Sequence, residues 1–178
     1  MIALVTPTSW LQNYVEDYLV IEGTSQQIFG AKEYTVNFSE TAGFFFNYGD
    51  NCYRIDKDDK KHNLPKSGVY GLYDQEVSYY FEEKVKLIFV ILRSQSPLNI
   101  SLITKENLKN SYTALTDIFG IEYRRIEYQI YRCETLKSRI NLIENFLFEI
   151  LHSKSLLREN DENYFKELDN DLPLFYLN

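Results

Sequence analysis

The segment Lys84 to Arg93 constrains the fold of this chain more than any other. Written as an extended strand, it places Val85, Leu87, Phe89 and Ile91 on one face and Ile88, Val90 and Leu92 on the other. A strand that is apolar on both faces must be covered on both, so it belongs in the centre of a sheet with a packed layer on each side.

The stretches before it carry the same two-residue period. Tyr34, Val36 and Phe38 alternate with polar residues, and Gly43 opens Phe44-Phe45-Phe46-Asn47-Tyr48, which Gly49-Asp50 closes as a turn. Tyr53 and Ile55 alternate again before a charged loop over 56–65. Val69, Gly71 and Tyr73 follow, then Val77, Tyr79 and Phe81. Short strands separated by turn residues predict a sandwich or barrel rather than alternating βαβ units. Ahead of them, Leu11, Tyr14, Val15, Tyr18 and Leu19 fall at helical spacing behind a potential cap at Ser9, which predicts an opening helix over 10–19. Tyr18 to Glu22 then reads as a strand that ends at Gly23.

After Pro97 the period becomes helical. Tyr112, Leu115, Ile118 and Phe119 form one stripe that stops at Gly120, and Tyr123, Ile126 and Ile130 form a second. Leu136, Ile140, Ile143, Leu147 and Leu151 form the third, with Thr135 as the cap and Phe146 and Ile150 widening the face. The expected class is therefore α+β, with strands first and helices last. The expected divisions are a β domain over 1–102, a helical segment over 103–152 and an acidic, weakly helical tail over 153–178.

Composition excludes several functions. The net charge is −7, and a nucleic-acid surface needs clustered Lys and Arg because its affinity comes largely from counterion release. Direct DNA binding is not expected. Cys52 and Cys133 are too few for a disulfide framework or a thiolate zinc site. His62 and His152 are too few for a His-rich transition-metal centre, so no metal, no cofactor and no enzyme of that kind is expected. Asp56-Lys57-Asp58-Asp59 lacks the glycine and the distal glutamate of a calcium loop and reads as a solvated hairpin turn. Cys52 with His62 is a weak candidate for a thiol nucleophile, because burial is the commoner fate of cysteine. The apolar runs are too short to span a bilayer and the start lacks signal-peptide organisation, so the cytoplasm is the expected compartment.

Two features carry functional content. Aromatic residues make up 16% of the chain. Phe44, Phe46, Tyr48, Tyr70, Tyr79 and Phe81 on the expected sheet are candidate ligand contacts, in which rings hold a planar or apolar small molecule and the Tyr hydroxyls orient it. Plain core filling is the competing explanation for the same rings. The stripe Leu136, Ile140, Ile143, Leu147 and Leu151 is the candidate dimerisation face, against packing within the monomer as the alternative.

The run Phe44-Phe45-Phe46-Asn47-Tyr48-Gly49-Asp50 resembles the strand-and-turn signature of one group of AraC-type sensor domains. The later pieces fall in a similar order: Gly71, the buried strand 86–93, LITKENLKNSYTALTDIFG over 102–120, and Arg139-Ile140 with Ile143-Glu144-Asn145-Phe146-Leu147. Leu11-Gln12-Asn13-Tyr14-Val15 resembles the opening of these domains. The likeness spans about residues 7–151. It implies a cupin-like β-barrel (a jelly-roll) followed by helices that relay ligand state or pair subunits. It also implies a small-molecule effector, a homodimer and a role in transcription regulation. The regulators of this family carry two helix-turn-helix units after the sensor, and residues 153–178 are too few and too acidic for one. The alternatives are a stand-alone binding or interaction domain that modulates a full-length regulator and, more remotely, a cupin-like enzyme.

Overall fold

The computed structural model describes residues 1–36, 42–73, 76–96, 108 and 110–152. Expectations that fall on Phe38, on the 102/103 division and on the tail lie outside the described residues. Ten strands are described: β1 (Ile2–Val5), β2 (Val15–Thr24), β3 (Glu33–Val36), β4 (Gly43–Asn47), β5 (Cys52–Ile55), β6 (Lys61–Asn63), β7 (Ser67–Tyr70), β8 (Val77–Phe81), β9 (Lys84–Leu92) and β10 (Tyr112–Ala114). The described α-helices are α1 (Ser25–Phe29), α2 (Leu115–Phe119), α3 (Arg124–Arg132) and α4 (Leu136–His152). The chain is α+β, as the change of period predicts.

The strands form two antiparallel sheets, one of six strands in the order β1-β2-β9-β4-β7-β10 and one of four in the order β3-β8-β5-β6. No ladder among the described residues joins them, so the expected closed barrel is replaced by two separate sheets. β9 lies between β2 and β4, the central place its two apolar faces require.

Each face of the larger sheet has its own cover. One carries Tyr18, Val20, Phe44, Phe46, Val69, Ile88, Val90 and Leu92, packed with Ile126 and Ile130 of α3 and Ile140, Ile143, Phe146 and Leu147 of α4. The opposite face carries Ile21, Phe45, Tyr70, Val85 and Leu87, which meet Cys52, Val77 and Phe81 of the smaller sheet. The layers are therefore helices, the six-stranded sheet and the four-stranded sheet.

The opening helix predicted over 10–19 is not formed. Ser9–Leu11 is a single 3-10 turn and Val15–Thr24 is a strand. The helical spacing has a specific cause: the register with β9 steps from Val15↔Leu92 to Asp17↔Ile91, leaving Glu16 as a bulged residue. A bulge puts residues three apart on one face, so Val15 and Tyr18 both reach the helix-side core and imitate an α period. A second departure lies at Tyr112–Ala114, which pairs with β7 as β10 before the chain turns helical at Leu115. Thr135 caps α4 as expected, its hydroxyl accepting from the Ser138 amide at 3.1 Å.

Candidate ligand-binding site

A cavity of about 240 Å³ lies between the two sheets. Its walls follow from strand pairing. On the larger sheet, Phe45 and Phe89 are directly opposed in register, as are Leu19 and Phe89, and Ile21 and Leu87, and all of them line the space. On the smaller sheet, Cys52 pairs with Phe81 and Tyr34 with Tyr79, and these also face inward. Phe29 of α1 closes one side, stacked on Tyr34 at 4.4 Å and on Phe81 at 5.0 Å.

The six rings predicted as ligand contacts divide between two places. Tyr70, Tyr79 and Phe81 line the cavity. Phe44, Phe46 and Tyr48 belong to the helix-side core, where Phe146 meets Phe44 at 5.5 Å and Phe46 at 5.8 Å, both edge to face. In their place the cavity takes Phe45 and Asn47, the inward alternates of the same strand. Phe44 and Phe46 thus lie one residue of register away from the cavity wall. The cavity also takes Phe89, Tyr73 and Tyr112, which lie outside the six predicted rings. The opposite face of β9 was the available signal for Phe89.

The predicted dimerisation stripe packs within its own chain. Ile140, Ile143, Leu147 and Leu151 are buried in the helix-side core, and Leu136 is half-buried against it. A partner subunit would meet other residues of α4. Polar contacts also anchor this helix. The buried Glu144 carboxylate accepts from the Thr8 amide at 3.0 Å and the Tyr18 hydroxyl at 3.3 Å. Arg139 lies over the Tyr48 ring at 4.3 Å and 4.0 Å from Glu22, which accepts from the Tyr48 hydroxyl at 2.7 Å. Burial, and then the Glu22 hydrogen bond, raises the Tyr48 phenol above its ordinary range.

The polar groups of the cavity collect in one corner. The Tyr79 hydroxyl hydrogen-bonds to that of Tyr73, which donates to the Ser111 carbonyl at 3.2 Å. Burial raises both phenols, and that of Tyr112 beside them. Cys52 shares this wall, its thiol pushed up to about 12 by burial. A thiol so placed is neutral at physiological pH and behaves as wall material rather than as a nucleophile. His62 is elsewhere, hydrogen-bonded to Asp56 at 2.7 Å in the β5–β6 hairpin. Asn47 lines the space but is committed to its own turn, donating to the Asp50 carbonyl and accepting from the Gly49 amide.

Among the described residues no three His, Cys, Asp or Glu side chains converge as a metal site, and no helix is long and apolar enough to cross a membrane. What the cavity offers is aromatic and aliphatic surface with a few phenol hydroxyls, a lining of the kind found in small-molecule pockets. No protein-family model, curated protein or solved structure matches the chain.

Proposed function

We propose that this chain is a sensor domain that binds a small, predominantly apolar molecule between its two sheets and reports occupancy to its C-terminal helices. The observation that carries this reading is the double role of β4. Phe45 is cavity wall, while its neighbours Phe44 and Phe46 pack edge to face on Phe146 of α4. A ligand that displaces Phe45 shifts the strand on which α4 rests. A molecule with different affinity for two arrangements of that interface shifts their populations.

The resemblance to AraC-type sensor domains supports the same role. It adds a cupin-like relationship between the sheets, a homodimer and a regulatory output on transcription. In this reading DNA contact belongs to another module or to a partner protein, and α4 relays through its buried face while its exposed residues meet the second subunit.

The test is a thermal-shift screen of planar apolar compounds on the purified chain. A ligand that prefers the folded state raises the unfolding midpoint. Leu64→Trp, which places a larger ring at the cavity edge, is expected to abolish the shift while leaving the unliganded midpoint nearly unchanged. A shift that survives this substitution would place binding elsewhere. Sedimentation of the liganded chain tests the pairing role, which a strict monomer at high concentration would remove.

A further inference from the structure

Resting on that binding role, we infer that the molecule the cavity takes is an organic anion: an apolar, ring-containing body with one carboxylate or equivalent group directed at Arg54.

Every residue that lines the space is neutral. The polar corner, however, stands against a cation. Arg54 is two residues along β5 from the wall residue Cys52, and is therefore on the same face of the strand. It pairs directly with Tyr79 in the ladder. Its guanidinium lies 5.9 Å from the centre of the Tyr73 ring, and its positive charge bears on the phenols of Tyr73, Tyr79 and Tyr112 together. Three cavity-wall hydroxyls thus sit in the field of one cation.

Among the described residues no carboxylate lies within ion-pair distance of Arg54, and its Nη1 donates to the Asn110 carbonyl at 2.8 Å. A guanidinium has five N–H donors in a planar fork suited to carboxylate, so donors remain after that bond. An anionic group at this corner lies in the field of the Arg54 charge beside phenol hydroxyls, whereas its apolar body meets Phe45, Phe81 and Phe89. A cation would be repelled there. A neutral polar head would gain less, because hydrogen bonds to charged groups are the stronger ones.

The experiment compares matched pairs by isothermal titration calorimetry on the intact chain: 2-naphthoate against 2-naphthalenemethanol, and 4-phenylbutyrate against 4-phenylbutanol. The acid of at least one pair is expected to bind about tenfold or more tightly than its alcohol. Arg54→Gln should bring that ratio close to one by weakening the acid far more than the alcohol, while Arg54→Lys, which keeps the charge, should retain part of the preference. Equal binding of acid and alcohol to the unaltered protein overturns the anion inference and leaves the cavity as a neutral binding site. Binding of neither member of either pair removes the cavity reading and this inference with it. A preference for the acid that persists in a folded Arg54→Gln protein also overturns the assignment, by placing the anion at another cation.

Discussion

The Tyr70 hydroxyl donates to the Val90 carbonyl at 3.3 Å, across the Cα of Gly43, which stands opposite Tyr70 in the β4–β7 ladder. The relationship fixes one wall of the cavity, because Tyr70 also packs edge to face on Phe89 at 5.8 Å. It depends on the missing side chain. A Cβ at Gly43 would stand 2.1 Å from the Val90 oxygen and 2.5 Å from the Tyr70 hydroxyl oxygen.

Gly43→Ala is therefore expected to cost about 2 kcal/mol of stability, in the range for overpacking a well-filled interior. Urea denaturation followed by circular dichroism reads this directly. The same variant should weaken binding in the cavity, since relief of the clash requires the β9 backbone at Val90 to shift as well as the Tyr70 ring. A loss of less than about 0.5 kcal/mol, the level of an ordinary surface substitution, would show that the backbone of β4 and β9 gives way along with the Tyr70 ring.

Glu144 gives a second prediction. Its carboxylate satisfies the Thr8 amide and the Tyr18 hydroxyl in the layer between α4 and the sheet. Glu144→Ala leaves both donors without this acceptor and should cost about 2–3 kcal/mol. Glu144→Gln keeps an acceptor oxygen and should cost under about 1 kcal/mol. Denaturation midpoints of the two variants, compared at equal slope, check the order. Burial, followed by the charge of Glu144, raises the Tyr18 phenol, so Tyr18 is expected to stay protonated at every pH at which the protein remains folded.

The third prediction concerns acid. The hydrogen bond from His62, reinforced by the Lys60 and Asp58 amides, lowers the Asp56 carboxyl from 3.8 to about 2. A carboxyl whose folded pKa is depressed contributes stability that is present above its unfolded pKa and is lost as pH falls through the folded one. The contribution of Asp56 is thus complete above about pH 4 and fades toward about pH 2. Carboxyl carbon NMR titration should show Asp56 ionised at pH 3, and His62→Ala should move its midpoint back up toward 3.8. The group is exposed, so the readout is the titration curve rather than global unfolding.

Local signals for other parts of the fold were present in uneven strength. The capping box of α1 is written in the chain as Thr24-Ser25-Gln26-Gln27, with Gly30 in the left-handed conformation at φ 72° as its stop, but five residues are too few to show a helical period. Alternation at Tyr53 and Ile55 marks β5, but β6 is hidden in the charged loop, because Asp56 organises the hairpin by accepting from the Asp58 and Lys60 amides rather than through apolar alternation. Arg54 gave no signal, since an arginine on a short strand acquires meaning only from the phenols that β8, β10 and the chain at Tyr73 bring beside it.

By itself the sequence determined the elements whose hydrophobic pattern admits one solution. The two apolar faces of 84–92 require a central strand, and the Leu136 to Leu151 stripe requires a helix packed on a core, because exposing either set of side chains to water would be costly. The tertiary structure alone decided which face of β4 became cavity wall. Its five residues are buried throughout, so period-two alternation separates Phe44 and Phe46 from Phe45 without saying which set meets helices. That choice was made by the register Phe45↔Phe89 on one side and by Phe146 of α4 on the other, contacts between segments far apart in the chain. The bulge at Glu16 was settled in the same way, by the fit of β2 against β9, which no local propensity encodes.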